Sequence, residues 1–209
     1  MPSDKTIGRL SLYRSLLSRI LRAGDSHIFS HELAALAGNT SSQVRRDLMA
    51  IGSNGTPTRG YDIRSLIQSI GECLDAAGGE RVALVGVGNL GGAILGFFAG
   101  RRPKLSVVAG FDNDRDKAGR VLYGVRCYAM EDLPRVIDQQ GIRVAVITVP
   151  ASEAQDVADR LIRAGVRGIL NFAPIRLRTP AGIYVEDVDV TMSLEKVAFF
   201  ARQSLTHKG

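Results

Sequence analysis

The segment that most constrains the fold is residues 81–92, RVALVGVGNLGG, in which a short apolar run leads into three spaced glycines. Gly86, Gly88 and Gly91 have G-x-G-x-x-G spacing, and an apolar run follows at 93–99. This pattern predicts a buried strand, a tight turn and the start of a helix. Gly86 would make the turn, Gly88 would let the backbone approach a pyrophosphate, and Gly91 would let helix and strand pack closely. The free N–H groups at the helix start would then face the phosphates.

A second apolar run at residues 105–111 supports this interpretation, because it ends in Asp112, 21 residues after Gly91. A carboxylate there accepts hydrogen bonds from both ribose hydroxyls of NAD and repels the 2′-phosphate of NADP. Two alternatives are a strand–turn–helix that binds no phosphate and a related fold that binds another nucleotide. The motif together with its context favours dinucleotide binding.

Bulk properties exclude several classes of protein. The chain has 209 residues, 45% of them hydrophobic, which suits one large or two small domains with a proper core. It contains no apolar run near the ~20 residues of a membrane-spanning helix and no visible signal peptide. Cys73 and Cys127 form no C-x-x-C motif, so we expect free thiols in a cytoplasmic protein. The net charge of +6 permits a polyanionic partner but is spread over the whole chain.

The first 78 residues predict a small helical domain. Apolar residues recur at helical spacing from Ile7 to Leu21, and Gly24 ends this first helix. A second helix starts with Ser30 as its N-cap, and a third spans 42–51 with Thr40 or Ser41 as its cap. Two short helices joined by about four residues that include a glycine form a helix-turn-helix. A fourth helix is expected at 65–76.

The third helix and the segment after it carry the candidate DNA contacts. Apolar residues of this helix face inward, and its other side offers polar groups of the types that contact base edges. The turn-rich segment 52–61 resembles the wing of a winged helix, with Arg59 able to reach a phosphate or the minor groove. The alternative is a helical dimerisation module whose arginines form a solvated face. The predicted DNA-binding residues are Ser41, Ser42, Gln43, Arg45, Arg46, Ser53, Arg59 and Gly60.

A glycine pair at 78–79 marks the boundary to a second domain, in which strands and helices alternate. Strands are predicted at 82–85, 107–111, 126–128, 144–149 and 168–171, and helices at 90–99, 131–140 and 153–164. Ligands of such parallel sheets bind at the carboxyl ends of the strands. The predicted cofactor-binding residues lie there: Gly86, Val87, Gly88, Asn89, Leu90, Gly91, Asp112, Asn113, Thr148, Val149, Pro150, Asn171 and Phe172. Away from the glycine motif, an ordinary strand-to-helix loop explains these positions equally well.

The C-terminal residues 190–209 form a third segment, a helix predicted at 192–205 that is apolar enough to need a partner surface on its own domain or a second subunit. We find no catalytic motif and predict no metal site. The second domain proper contains no histidine, and none of its tyrosines is followed four residues later by lysine. A dehydrogenase needs a proton donor beside the nicotinamide.

The whole chain resembles one family, the Rex redox-sensing transcriptional repressors of bacteria. The matching segments are RLSLY at 9–13, SQVRRDL at 42–48, GSNG at 52–55, RGY at 59–61, VGVGNLG at 85–91, FD at 111–112, TVP at 148–150, GILNFAP at 168–174 and VEDVD at 185–189. The resemblance implies a winged-helix domain at 1–78, a Rossmann-type NAD(H)-binding domain at 79–189 and a dimerisation helix, swapped between subunits, at 190–209.

The family resemblance also implies a function and residue roles. Rex proteins bind an inverted-repeat operator in double-stranded DNA as homodimers when NADH is scarce, and release it when NADH binds. Arg45 and Arg46 would contact DNA, and Asp112 would contact the adenine-side ribose. The residues Thr148, Pro150 and Asn171 would line the nicotinamide region. Many members have a tyrosine at the position of Phe97, near the nicotinamide and Asp189, so both residues are expected there as part of the switch.

Two other function classes remain open from the sequence. One is an NAD-dependent oxidoreductase with an accessory helical domain, which the missing acid or base disfavours. The other is a CoA-binding module, which Asp112 disfavours because a carboxylate suits a free ribose diol. The favoured hypothesis is a binding switch without turnover, with NADH and NAD⁺ as cofactors and no membrane association.

Overall fold

The computed structural model describes residues 2–56, 58–100 and 104–206, with side chains to residue 203. The chain divides into two compact units, one ending at Ala77 and the other starting at Gly78. This division lies one residue from the predicted boundary. Pro57 of the predicted wing and residues 207–209 of the predicted C-terminal segment lie outside the described residues.

The N-terminal unit is a four-helix assembly with a two-stranded antiparallel sheet. Its elements are α1 (Asp4–Ala23), β1 (His27–Ile28), α2 (Ser30–Ala37), α3 (Ser41–Ala50), β2 (Tyr61–Asp62) and α4 (Ile63–Leu74). All four helices contribute to one core, whose fully buried side chains include Leu10, Tyr13, Leu33, Val44, Leu48, Ile63 and Ile70. This arrangement is a helix-turn-helix of α2 and α3 followed by a wing between α3 and β2.

Capping residues set the helix boundaries, which differ from the prediction at the starts of α2 and α4. Thr40 accepts a hydrogen bond from the backbone N–H of Gln43 at 3.2 Å, which confirms it as the cap of α3. The N-cap of α2 is Phe29 and not Ser30, because Glu32 reaches back to the Phe29 backbone N–H at 2.7 Å. The helix α4 starts at Ile63, two residues earlier than predicted, since Asp62 accepts from the N–H of Ser65.

The second unit is a seven-stranded sheet with helices packed on it. Its elements are β3 (Glu80–Val85), α5 (Asn89–Phe98), β4 (Leu105–Asp112), β5 (Val121–Leu122), β6 (Val125–Ala129), α6 (Leu133–Gln139), β7 (Val144–Ile147), α7 (Ala151–Arg163), β8 (Gly168–Asn171), β9 (Tyr184–Asp187) and α8 (Val190–Thr206). The strand order is β5-β6-β4-β3-β7-β8-β9, and only β5 runs antiparallel. The six parallel strands have the Rossmann order, with the topological switch point between β3 and β7.

The sequence prediction missed β5 and β9. Both are short edge strands, and each pairs with a single neighbour, β6 or β8. Apolar side chains from both faces of the sheet form two separate clusters, one under α6 and α7 and one under α5. Along α8, every side chain described is exposed. No helix in the described ranges combines the length and apolar character needed to cross a membrane.

Candidate nucleotide-binding and DNA-binding sites

In the glycine loop between β3 and α5, Gly86 and Gly91 have the geometry that the sequence predicted for them. Gly86 has a φ of +96°, and a Cβ there would lie 2.9 Å from the Thr148 backbone carbonyl. A Cβ on Gly91 would collide with the Gly86 carbonyl oxygen, so helix and strand can approach only without a side chain. The position of a Cβ on Gly88, the N-cap of α5, is open, which leaves backbone accessible to a ligand at the helix start.

Asp112 closes this loop from the neighbouring strand. Its Oδ2 accepts a hydrogen bond from the Val87 N–H at 2.8 Å and one from the Lys117 ammonium at 3.0 Å, while Oδ1 accepts from the Asp114 N–H at 2.9 Å. The hydrogen bond to Asp112 raises the pKa of Lys117 more than partial burial lowers it. Three hydrogen bonds therefore hold the Asp112 carboxylate in place beside the loop, with acceptor capacity left for a ribose hydroxyl.

A cavity of about 360 Å³ opens beside Asp112 at the carboxyl ends of β3, β4 and β7. Its lining contains three carboxylates against one ammonium: Asp112, Asp114, Glu153 and Lys117. The Asn113 amide donates to Glu153 at 3.1 Å and so joins two sides of its rim. The remaining lining residues are Val85, Gly86, Gly88, Met130, Thr148, Val149, Pro150 and Val157. The sequence prediction missed Lys117, Glu153 and Met130, although a lysine five residues after Asp112 was a visible signal.

A second cavity of about 460 Å³ lies at the carboxyl ends of β8 and β9. Leu90, in the first turn of α5, lines it, so the start of α5 contributes to both cavities. The other lining residues are 172–176 and 187–192, which include Phe172 and Asp189. Two cavities that share one glycine-rich helix start fit the two nucleotides and the pyrophosphate of a dinucleotide.

Thr148 and Asn171 have their polar groups committed to the protein itself. The Thr148 hydroxyl donates to the backbone oxygens of Val85 and Gly86 at 3.0 and 2.8 Å. Asn171 is fully buried; its amide nitrogen donates to the Ile175 oxygen and to Asp187, both at 2.8 Å. Both side chains thus hold the walls of the cavities in place.

Asp189 and Phe97, the expected switch residues, lie in different surroundings. Asp189 lines the second cavity and also caps α8, because its Oδ1 accepts from the Met192 N–H at 2.7 Å. Phe97 is 58% exposed near the end of α5, contacts the ring of Phe98, and is not among the residues that line this cavity. A ligand in the second cavity would therefore touch the start of α8 directly.

The outward side of α3 carries the predicted DNA contacts. Ser42, Arg45 and Arg46 are exposed, and Ser41 is half-buried in the first turn. Arg45 donates to the hydroxyl of Ser30 at 3.1 Å. The Gln43 side chain is not free, since it bonds to both Asp47 and Arg46. The exposed guanidinium groups are available to a phosphate or a base edge.

The wing is a tight loop closed by Thr56 and Gly60, whose backbone N–H and carbonyl groups bond in both directions at 2.8 Å. Gly60 is buried, has a φ of +70°, and lies against the Ile28 carbonyl, so it shapes the loop. Arg59 is exposed beside it. Ser53 and Arg59 line a cavity of about 360 Å³ together with His27, Thr56, Asp62, Ser65 and Ser69. The Arg59 guanidinium and the hydroxyls of this surface can donate to a backbone phosphate, whereas the Asp62 carboxylate opposes one.

The two cysteines are both free, as predicted. Cys73 is exposed, and Cys127 is buried in β6. Burial raises the pKa of the Cys127 thiol, which disfavours the reactive thiolate form.

Comparisons with known proteins agree with both halves of this description. A family model described as "Putative DNA-binding protein N-terminus" matches residues 3–48, and one described as "CoA binding domain" matches residues 79–175. Among curated relatives, the redox-sensing transcriptional repressor Rex of Roseiflexus sp. strain RS-1 is 37% identical over 98% of this chain and 93% of its own length.

Solved structures give the same result. The crystal structure of RSP, a Rex-family repressor, with beta-NADH has a TM-score of 0.88 at 29% identity and covers 100% of this chain and 98% of its own. RSP with beta-NAD⁺ and operator DNA also has a TM-score of 0.88 at 29% identity, covering 100% of this chain and 96% of its own. Fold, site geometry and full-length similarity together establish that the chain belongs to the Rex family of redox-sensing transcriptional repressors.

Proposed function

We propose that this chain represses transcription by binding operator DNA as a homodimer and releases the DNA when NADH occupies its second unit. The observation that carries the proposal is the pair of cavities sharing the start of α5, with Asp112 at the ribose position of one of them. The same chain carries a helix-turn-helix whose α3 exposes Arg45 and Arg46. A nucleotide sensor and a DNA reader on one chain fit a ligand-controlled repressor.

The charges around Asp112 support NAD(H) over coenzyme A, which the match to a CoA-binding domain makes the second candidate. Asp112, Asp114 and Glu153 face one ammonium, Lys117, so the cavity carries net negative charge. Coenzyme A has a phosphate on its adenosine ribose, which this cavity repels, whereas NADH presents a free diol there. Calorimetry of the full-length protein with each ligand is the test. We expect NADH to bind and coenzyme A to bind at least tenfold more weakly; equal or tighter binding of coenzyme A contradicts the proposal.

The proposed absence of catalysis rests on the site's composition. Residues 78–206 contain no histidine, and Lys117, which lines the cavity beside Asp112, is paired with that carboxylate at 3.0 Å. A hydride transfer to a carbonyl needs a proton donor beside the nicotinamide. Incubation of the protein with NADH and a panel of aldehydes and ketones should leave the 340 nm absorbance unchanged. Substrate-dependent loss of that absorbance would favour an oxidoreductase.

The exposed apolar stripe of α8 supports a dimer. Val190, Leu194 and Val197 share one face of the helix and are each about two-thirds exposed. We infer that a second copy of the chain covers this face and places two α3 helices about one DNA turn, or a multiple of it, apart. A chain truncated after Asp189 should be monomeric by light scattering and should lose operator binding. A truncated chain that stays dimeric contradicts this role of α8.

We propose that the arginines of the N-terminal unit divide the work of DNA binding. Arg46, near the start of α3, contacts a base edge, and Arg59, on the wing, contacts phosphate or the minor groove. The variant Arg46→Ala should lose about 1–3 kcal/mol on operator and much less on scrambled DNA. Arg59→Ala should weaken both DNAs alike and reduce the salt slope by about 1. A salt series with both DNAs distinguishes these outcomes; an equal loss on both DNAs for Arg46→Ala refutes its base contact.

NADH can release DNA only if it prefers one arrangement of the dimer. The structural means is Asp189, which caps α8 and lines the second cavity. A reduced nicotinamide in that cavity would bias the direction in which α8 leaves the sheet, and with it the spacing of the two α3 helices. On this account NADH opposes the contacts of Arg46 and Arg59 equally, because it touches neither residue.

A further inference from the structure

Gln43 holds an unusual position on α3, because both ends of its amide are bound within the protein. Its Nε2 donates to Asp47 Oδ1 at 2.9 Å, and its Oε1 accepts from Arg46 Nη2 at 2.9 Å. Arg46 and Asp47 lie three and four positions after Gln43, so each is a neighbour of Gln43 on the helix surface. The polar group predicted to contact a base edge is thus engaged between a carboxylate and a guanidinium.

The carboxylate end of this chain of contacts is fixed. Asp47 is 3% exposed and accepts two hydrogen bonds from Arg9, one from Nε to Oδ2 at 2.6 Å and one from Nη2 to Oδ1 at 2.8 Å. The Tyr13 hydroxyl donates to Oδ2 at 3.1 Å. Burial on its own would raise the pKa of Asp47, but the hydrogen bonds from Arg9, Gln43 and Tyr13 outweigh it and lower that pKa. Asp47 is therefore ionised, and α1 holds it in one position.

An ionised carboxylate dictates the orientation of the Gln43 amide. The carboxylate can only accept, so the amide must turn its NH₂ group toward Asp47. The amide oxygen then points the other way, where only a donor can pair with it. Arg46 is that donor, and the bond restricts a side chain that is otherwise exposed. Asp47 thus fixes the orientation of the Gln43 amide, and that amide in turn restricts the position of the Arg46 guanidinium.

We propose that Gln43 is a positioning residue that holds Arg46 ready for the operator and does not itself contact a base edge. The inference rests on the proposed role of α3 in DNA binding. A pre-ordered guanidinium loses less side-chain entropy when it binds. Gln43 should therefore increase DNA affinity only through the contact that Arg46 makes. Arg45 provides the internal comparison, since its guanidinium bonds to the Ser30 and Ser42 hydroxyls and not to Gln43.

The test is a double-mutant cycle on the full-length protein, with fluorescence anisotropy on operator and on scrambled DNA. Gln43→Met keeps the length of the side chain and removes both amide groups. We expect it to weaken operator binding roughly 3- to 10-fold, within the range measured for residues in contact. In an Arg46→Ala background the same change should have no further effect, and in an Arg45→Ala background it should keep its full effect. Affinity for scrambled DNA should be the same for Gln43→Met and the unmodified chain.

Three results would overturn the inference. If Gln43→Met costs the same factor with and without Arg46, then Gln43 contacts DNA on its own. If Gln43→Met leaves the operator affinity of the otherwise unmodified chain unchanged, then the hydrogen bond from Arg46 to Gln43 has no role in binding. If Gln43→Met weakens scrambled and operator DNA equally, the loss is structural, and a lower melting temperature would accompany it. Loss of the proposed function gives a different pattern, because Arg46→Ala alone would then leave operator affinity unchanged.

Discussion

The face of α3 proposed to contact DNA and the glycine loop proposed to bind a dinucleotide at the start of α5 are built differently. On α3 the order comes from side chains: Gln43 bonds to Asp47 and to Arg46, and Asp47 accepts from Arg9 of α1. At α5 it comes from the absence of side chains, because Gly86 and Gly91 leave room for backbone alone. The first site is therefore sensitive to loss of charge, and the second to added volume.

The strongest test of this contrast is removal of the buried charge beneath α3. Asp47→Ala leaves the Arg9 guanidinium, the Tyr13 hydroxyl and the Gln43 amide without their shared acceptor. We expect the N-terminal unit to lose about 3 kcal/mol of unfolding free energy, the lower part of the range for a broken buried pair, since Arg9 keeps 22% of its side chain exposed. Urea unfolding measures it. Asp25→Ala, an exposed acid, is the control; an equal, small effect of both changes contradicts the account.

The corresponding change at the glycine loop adds one methyl group. Gly91→Ala places a Cβ against the Gly86 carbonyl oxygen, so helix and strand must separate. We expect about 2–3 kcal/mol of lost stability in the second unit, together with weaker NADH binding. Gly92→Ala is the matched control, because its Cβ would meet nothing within 4 Å in the same helix. Calorimetry with NADH compares the two; tight binding by Gly91→Ala would refute the packing role.

Beside the glycine loop, the side chain of Asp112 acts through its charge, and its loss should have a moderate effect on NADH binding. Asp112→Ala removes the acceptor of the Val87 N–H and of Lys117 and the expected ribose contact. NADH affinity should fall by about 1–3 kcal/mol, the scale of a lost charge-assisted hydrogen bond. Asp116→Ala, an exposed acid on the same loop, should leave it unchanged. Equal NADH affinity in Asp112→Ala and the unmodified chain would exclude the ribose role.

The smallest expected effect is a pH dependence of the α1–α3 cluster. Burial and then the hydrogen bond to Asp47 raise the pKa of Tyr13 from 10.0 to about 12. Because the pKa is raised in the folded state, neutral Tyr13 contributes fully to the free energy of unfolding below pH 10. This contribution is lost as the pH rises toward 12. At pH 11 the loss should be about 1 kcal/mol. Tyr13→Phe should show a flatter stability curve between pH 9 and 11; an identical slope in both proteins contradicts the assignment.

Much of the fold was predictable from local patterns. A parallel sheet was predicted from the apolar runs of β3, β4, β7 and β8 together with the periodicity of the helices. A helix-turn-helix was predicted to precede it in the sequence. The strands β5 and β9 were missed because two- to four-residue edge strands depend on a neighbour for their pairing. The cap of α2 was misplaced because Glu32 and not Ser30 supplies the capping bond, and that choice depends on three-dimensional geometry.

The sites were predictable to the extent that backbone shape determines them. Gly86 and Gly91 have the geometry that their spacing implies, since each role follows from having no side chain. Side-chain roles were harder to predict, because residues distant in the sequence decide them. Gln43 bonds to an aspartate that Arg9 holds from α1, and Asn171 bonds to Asp187 on another strand. Helical spacing alone predicted that the Gln43 side chain faces outward and is available to DNA.

Operator release by the reduced cofactor tests the central claim most directly. The measurement is fluorescence anisotropy of the full-length protein on a labelled inverted-repeat operator, with NADH and NAD⁺ titrated separately to saturation. We predict that NADH lowers operator affinity at least tenfold and that NAD⁺ at the same occupancy leaves it much less changed. Equal release by both forms, or release by neither while calorimetry shows both bound, would contradict a switch that senses the redox state of the cofactor.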